Sequence, residues 1–255
     1  MTPSTDPVSL PADYEAPPDL LAGRVILVTG AGQGLGRAVA IACAAHGATV
    51  ALLGRKQHKL EATYDAIAAA GRPEPAMIPL DLAGAGAPEF EQVAQLVRHD
   101  LGRLDGLVHC ASHFVPLGPL ENQTLEQWTT LLRVNLAAPF ELTRACLPLL
   151  RAAPESSVVF TGETHAVHPR AYWGGFAVSK SGLSTLAAVW ADELERAGKP
   201  RLNVLVPGPI ASPQRAQSHP GEDRVKLRTP EDAARAFLFL LGPESANLNG
   251  RTLEL

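Results

Sequence analysis

Cysteine is scarce, with three in 255 residues. Cys43, Cys110 and Cys146 lie far apart and show neither CxxC nor mixed Cys/His spacing. That argues against a disulfide framework and a thiolate zinc site, leaves no metal site expected, and fits a reducing, cytoplasmic setting. Long apolar runs are missing as well. Nowhere do about eighteen consecutive apolar residues occur, so no membrane span is expected. There is no long basic run, and the formal net charge is −4. The positive footprint of a nucleic-acid or anionic-membrane binder is therefore absent, which leaves small molecules and proteins as partners. The first twenty residues lack the charged start and apolar stretch of a secretory signal. Pro3, Pro7, Pro11, Pro17 and Pro18 among acidic residues read instead as an irregular arm over 1–20. What is present is apolar material, 46% of the chain. At this length that is enough for one core, so residues 21–255 are expected to form a single domain.

The remaining sequence alternates between two kinds of segment. Short β-branched runs at Arg24–Gly30, Thr49–Leu53, Ala76–Leu80, Asp105–His109, Ser157–Thr161, Leu202–Val206 and Thr252–Leu255 read as strands. Between them, helices are predicted over Arg37–Gly47, Lys56–Ala70, Pro88–Leu101, a segment capped by Thr124 and reaching Leu150, Trp173–Ala197, and Pro230–Leu241 capped by Thr229. Strands that alternate with helices of this length pair in parallel, because each return to the sheet requires a crossover. The fold class expected is α/β, a three-layer doubly wound Rossmann fold with a parallel sheet of about seven strands. The longest irregular stretch of the domain is predicted at Pro207–Arg228, a length typical of a lid.

The first strand runs into Thr29-Gly-Ala-Gly-Gln-Gly-Leu-Gly36. Gly30 permits a tight turn, Gly34 lets backbone approach a pyrophosphate, and Gly36 lets helix pack on strand. Phosphates would then sit at a helix N-terminus, where unpaired N–H groups point. At the end of the second strand, dinucleotide folds commonly carry a carboxylate for the ribose 2′-hydroxyl. Here the residues are Leu53-Gly54-Arg55-Lys56. Cations in that place favour a 2′-phosphate, so NADP(H) is the expected cofactor and NAD(H) the less favoured one.

The glycine pattern, T-G-x-x-x-G-x-G between strand and helix, resembles that of the short-chain dehydrogenase/reductase family, and the likeness extends over residues 21–255. It implies that Thr29, Gly30, Gly32, Gln33, Gly34, Leu35 and Gly36 form the nucleotide loop and that Arg55 and Lys56 meet the 2′-phosphate. Asp81 and Leu82 fall where the family contacts adenine. Pro207-Gly208-Pro209-Ile210-Ala211-Ser212 resembles the P-G-x-I-x-T segment at the nicotinamide end, implicating Pro207, Gly208, Ile210 and Ser212. Where the family carries N-A-G, this chain has Cys110-Ala111-Ser112. Cys110 reads as a small buried hydrophobe rather than a reactive thiol.

The same resemblance locates the catalytic positions. Asn135 matches the family's asparagine, and Trp173-Gly-Gly-Phe-Ala-Val-Ser-Lys180 matches its Y-x-x-x-K pair, with Lys180 retained and Phe176 where the tyrosine belongs. The family's serine position falls on Glu163. A growing alkoxide needs a proton and a hydroxyl donor, and phenylalanine supplies neither. Loss of a general acid typically costs about 10²–10⁴ in rate. A carboxylate here would also favour the cationic oxidised nicotinamide, NADP⁺, over NADPH. Lys180 keeps the task of holding the nicotinamide ribose.

Four residues could substitute for the missing acid. Tyr172 would lie one helical turn, about 6 Å, before Phe176 if the helix reached it. Glu163 would serve if burial raised its pKa. His165 and His168 titrate in the right range but are expected in a solvated loop. The principal expectation is an NADP(H)-binding family member with weak or no standard oxidoreductase activity, most simply a homodimer or homotetramer as the family commonly is. The alternatives are an active NADP(H)-dependent oxidoreductase with non-standard acid–base residues, and a non-catalytic interaction or scaffold protein. Retention of the glycines, Arg55, Asn135 and Lys180 counts against complete loss of the nucleotide. The substrate, if any, is an unspecified small molecule.

Overall fold

The computed structural model describes residues 14–255. Seven strands form one sheet: β1 (Val25–Thr29), β2 (Thr49–Gly54), β3 (Ala76–Pro79), β4 (Gly106–His109), β5 (Ser157–Thr161), β6 (Arg201–Val206) and β7 (Thr252–Glu254). Their order is β3-β2-β1-β4-β5-β6-β7, and every pairing is parallel. The doubly wound α/β expectation is met.

Side chains alternate across this sheet with period two, and each face receives its own core. Ile26, Val28, Val50, Leu52, Val108 and Val159 point to the face covered by α1 (Gly34–Ala45), α2 (Gln57–Ala69) and α9 (Pro230–Leu241). Val25, Leu27, Leu53, Leu107, Val158 and Phe160 point to the face covered by α3 (Ala87–Leu96), α5 (Ala138–Ala152) and α7 (Gly174–Glu193). All of these side chains are buried, and at about 25 cal/mol per Å² of apolar area the two cores are the dominant stabilising contribution.

Several boundaries differ from the sequence reading. The helix after β1 starts at Gly34 rather than Arg37, so the glycines themselves form its first turn. The segment capped by Thr124 is not one helix. Thr124 and Gln127 form the expected capping box at α4 (Leu125–Leu132), but the chain then widens into a π-type turn over Arg133–Ala137 before α5. α7 ends at Glu193, followed by a 3₁₀ turn at Glu195–Ala197. The stretch after β6 is more ordered than expected: it holds α8 (Pro213–Ser218), a 3₁₀ turn at Arg224–Lys226, and a parallel bridge between Ile210 and Arg228. A four-residue helix, α6 (Thr164–Val167), was not foreseen.

Of the arm expected over 1–20, residues 1–13 lie outside the described region. Residues 14–20 carry no helix or strand, yet Tyr14 packs edge-on against Phe239 of α9 with ring centroids 5.1 Å apart, so this part is joined to the core. Among the described residues no helix is long and apolar enough to cross a membrane, and no group of three His, Cys, Asp or Glu side chains is placed to hold a metal.

Candidate active site

The chain runs from β1 outward to β3, then returns to β4 beside β1. At this reversal the loops leaving neighbouring strands diverge, and a crevice opens at the carboxyl ends of the strands. A cleft of about 910 Å³ occupies that place, within the size range of small-molecule sites.

One wall is the turn from β1 into α1. Gly30 has φ +69°, and a Cβ there would lie 2.9 Å from the backbone of Ala111. A Cβ on Gly36 would lie 2.4 Å from the Gly30 carbonyl oxygen. Both positions therefore require glycine for closeness, not only for flexibility. Gln33, the residue before α1, gives no side-chain bond to the first-turn N–H groups, and its Oε1 instead accepts from Lys59 Nζ. The helix end is thus left open toward the cleft, the arrangement that suits an anion. Thr29 sits just behind this wall, where its hydroxyl accepts from Ala111 N at 3.0 Å and ties the ends of β1 and β4 together.

Gly30, Gly32, Gln33, Gly34, Leu35 and Gly36 all line the cleft. So do Arg55, Lys56, Asp81, Leu82, Cys110, Ala111, Ser112, Lys180, Pro207, Gly208, Ile210 and Ser212. Arg55 and Asp81 approach within 3.9 Å as an exposed pair, leaving the guanidinium available to solvent. Lys59, not anticipated from sequence, adds a third cation beside Arg55 and Lys56. The signal for it was its place in the first turn of α2, directly after Arg55 and Lys56. Asp81 also accepts from Ala83 N at 3.1 Å, so it caps its own turn while lining the cleft. The Cys110 thiol is pushed up to about 11, chiefly by burial and despite Thr161 and Lys180, which fits a packing role. Ser212 caps α8 by accepting from Arg215 N at 3.1 Å.

Asn135 does not face the cleft. It is fully buried in the π-type turn, where its amide clasps the loop after β4, accepting from His113 N at 2.7 Å and donating to His113 O at 2.9 Å and Ser179 Oγ at 3.0 Å. The extra residue of a π-turn aims that side chain, a device common at functional sites. Lys180 is buried and donates to the Thr161 carbonyl at 2.9 Å. Burial pulls its ammonium down to about 8, while Glu163 and Cys110 act in the opposite direction.

Phe176 lies on the cleft wall at 1% exposure, packed edge-on against Phe114 with centroids 5.1 Å apart and beside Trp173 and Leu131. Its ring holds an apolar corner together. Tyr172 is a correction. α7 begins at Gly174, two residues too late to carry Tyr172, whose φ is +74°; the side chain is 60% exposed and lies outside the cleft.

The two histidines also separate. His168 turns to Glu254 of β7, 3.3 Å away, and does not line the cleft. His165 is not in a solvated loop: it belongs to α6, lines the cleft, and stacks face to face on Trp173 with centroids 3.8 Å apart and an interplanar angle of 8°. Its Nδ1 lies 3.1 Å from Glu163 Oε1. Glu163 thus directs a carboxylate oxygen to an imidazole instead of leaving it free in the cleft.

A family model described as short chain dehydrogenase matches residues 24–223. The chain is 37% identical over 241 residues to YciK, an uncharacterised oxidoreductase of Escherichia coli K12, covering 94% of this chain and 95% of that one. A short chain dehydrogenase structure from Pseudomonas syringae superposes with a TM-score of 0.92 at 44% identity, covering 95% and 98% of the two chains. Another, from Shigella flexneri 2a strain 301 and solved in complex with NADP, gives a TM-score of 0.90 at 37% identity, covering 93% and 99%.

Proposed function

Because the chain belongs to the short-chain dehydrogenase family, we propose that it binds NADP(H) in the cleft and runs the family's standard carbonyl–alcohol chemistry weakly, for want of a hydroxyl at positions 163 and 176. The open N-terminus of α1 behind Gly30 and Gly36 takes the pyrophosphate, and Arg55, Lys56 and Lys59 take the 2′-phosphate. NADP bound to a similar chain supports this choice of nucleotide. Lys180 donates to the nicotinamide ribose from its buried seat beneath Thr161. When bound, such a cofactor supplies or accepts a hydride.

The observation that carries the reading is the contrast between the two ends of one cleft. The phosphate end has its cradle and three cations, while at Phe176 a ring without a hydroxyl packs against Trp173 and Leu131. Developing negative charge on a carbonyl oxygen there meets no hydroxyl donor.

The test is NADPH oxidation with a panel of ketones and aldehydes, comparing wild type with Glu163→Ser/Phe176→Tyr. The double variant is expected to exceed wild type by about a hundredfold in kcat. Rapid turnover by wild type that the double variant fails to match would refute the weak-activity reading.

A further inference from the structure

Beside the ring-lined corner stands a group that neither the glycine cradle nor the family pattern accounts for. An ionised carboxylate can only accept, so the contact with Glu163 puts the hydrogen on Nδ1 of His165. Nε2 is then the free edge of the ring, without a protein hydrogen-bond partner among the described residues, on a side chain that is 20% exposed and lines the cleft. The groups around the ring are the Glu163 carboxylate, the face of Trp173 against which it lies, Lys180 on α7, which lines the same cleft, and His219 after α8, which approaches the same Trp173 with centroids 6.1 Å apart.

We propose that His165 is the catalytic acid and base of this chain, with Glu163 as its positioning residue. The pair takes over the proton transfer that Phe176 cannot perform. This rests on the reading that NADP(H) binds in the cleft. In the reducing direction the carbonyl carbon of the substrate gains a hydride from a reduced nicotinamide dinucleotide, the two-electron donor. The π pair of the carbonyl moves to oxygen, and that oxygen takes the proton from Nε2 of the His165 imidazolium. The products are an alcohol, the oxidised dinucleotide and a neutral His165, which regains its proton from solvent. In this arrangement the replacement at position 163 is a gain of a carboxylate where the imidazole needs one, as well as the loss of a hydroxyl.

The experiment has three readouts on the full-length protein. In nucleotide-free protein, ¹⁵N imidazole spectra are expected to show neutral His165 as the Nδ1–H tautomer, with its titration point falling by about half a pH unit or more in Glu163→Gln. NADPH titrations of wild type, Glu163→Gln and His165→Phe are expected to remain saturable, so that a change in turnover is read on nucleotide-loaded protein. With NADPH and the ketone and aldehyde panel, His165→Phe, which keeps an aromatic ring on Trp173, is expected to lower kcat by about a hundredfold. In Glu163→Gln the alkaline fall of the rate should move to lower pH by the same amount as the titration point, whereas His99→Asn on the far surface should change nothing. An unshifted titration point, undiminished turnover in a folded His165→Phe, or a wild type that binds NADPH yet reduces no member of the panel overturns the dyad while leaving nucleotide binding intact. Failure of wild type to bind NADPH overturns the nucleotide reading and this proposal with it.

Discussion

Two charged residues make the nucleotide reading measurable at the scale of single side chains. Arg55 is exposed at the cleft edge where a carboxylate would select a 2′-hydroxyl. Arg55→Glu should therefore weaken NADPH binding by about tenfold to a hundredfold, the worth of a charge-assisted contact, and leave NADH nearly unaffected. Parallel titrations with the two nucleotides check this. Lys180 loses its proton from about 8 upward because burial disfavours the ammonium. In the proposed complex the ammonium is the stronger donor to the ribose, so affinity for NADPH should decline as pH rises beyond about 8, and Lys180→Met should abolish that decline. Identities at this scale were largely legible in the linear order: Phe176, Glu163, Lys180 and the glycines could be named before any coordinate. Orientation was not. His165 read as a loop residue because its partner Trp173 is brought onto it only by the tertiary fold, and Tyr172 read as a neighbour of Phe176 because nothing in its surroundings announces a positive φ.

Among elements, α1 shows most plainly how sequence becomes site. Gly36→Ala would press a methyl group into the Gly30 carbonyl at 2.4 Å, backbone against backbone, so the helix must move away from β1. A loss of about 1–3 kcal/mol in stability is expected from thermal or denaturant unfolding, together with loss of NADPH binding, since the anion-facing helix end moves with it. The strands were legible because all seven alternate or run apolar between turn residues, and a parallel sheet tolerates no other pattern at its centre. The π-type turn at Arg133–Ala137 was not, because its residues have ordinary helical preferences, and the widening serves the tertiary bonds of Asn135 to His113 and Ser179. α6 and α8 were missed for a related reason. Each is too short to show a helical period and is held by one cap, Glu163 or Ser212.

For the molecule as a whole, the sheet's reversal between β1 and β4 sets both the cleft and a buried liability next to it. His109, at the end of β4, is buried with its ring stacked on Phe160 and its Nε2 2.9 Å from Thr143 Oγ1. Burial, helped by Lys180, pulls its pKa from 6.5 to about 3. Between those values the unfolded chain binds a proton that the native state refuses. The stability held above about 6.5 is therefore lost progressively as pH falls toward about 3. Melting curves at about pH 7 and about pH 4.5 should show this loss, and His109→Phe, which keeps the stack, should shrink the difference between them. The central claim, that the cleft holds a nicotinamide dinucleotide bearing a 2′-phosphate, is tested most directly by fluorescence titration of the unmodified protein with NADPH and NADH side by side. Saturable NADPH binding at least about tenfold tighter than NADH is the predicted result. Equal or tighter binding of NADH, or no saturation by either nucleotide, contradicts it.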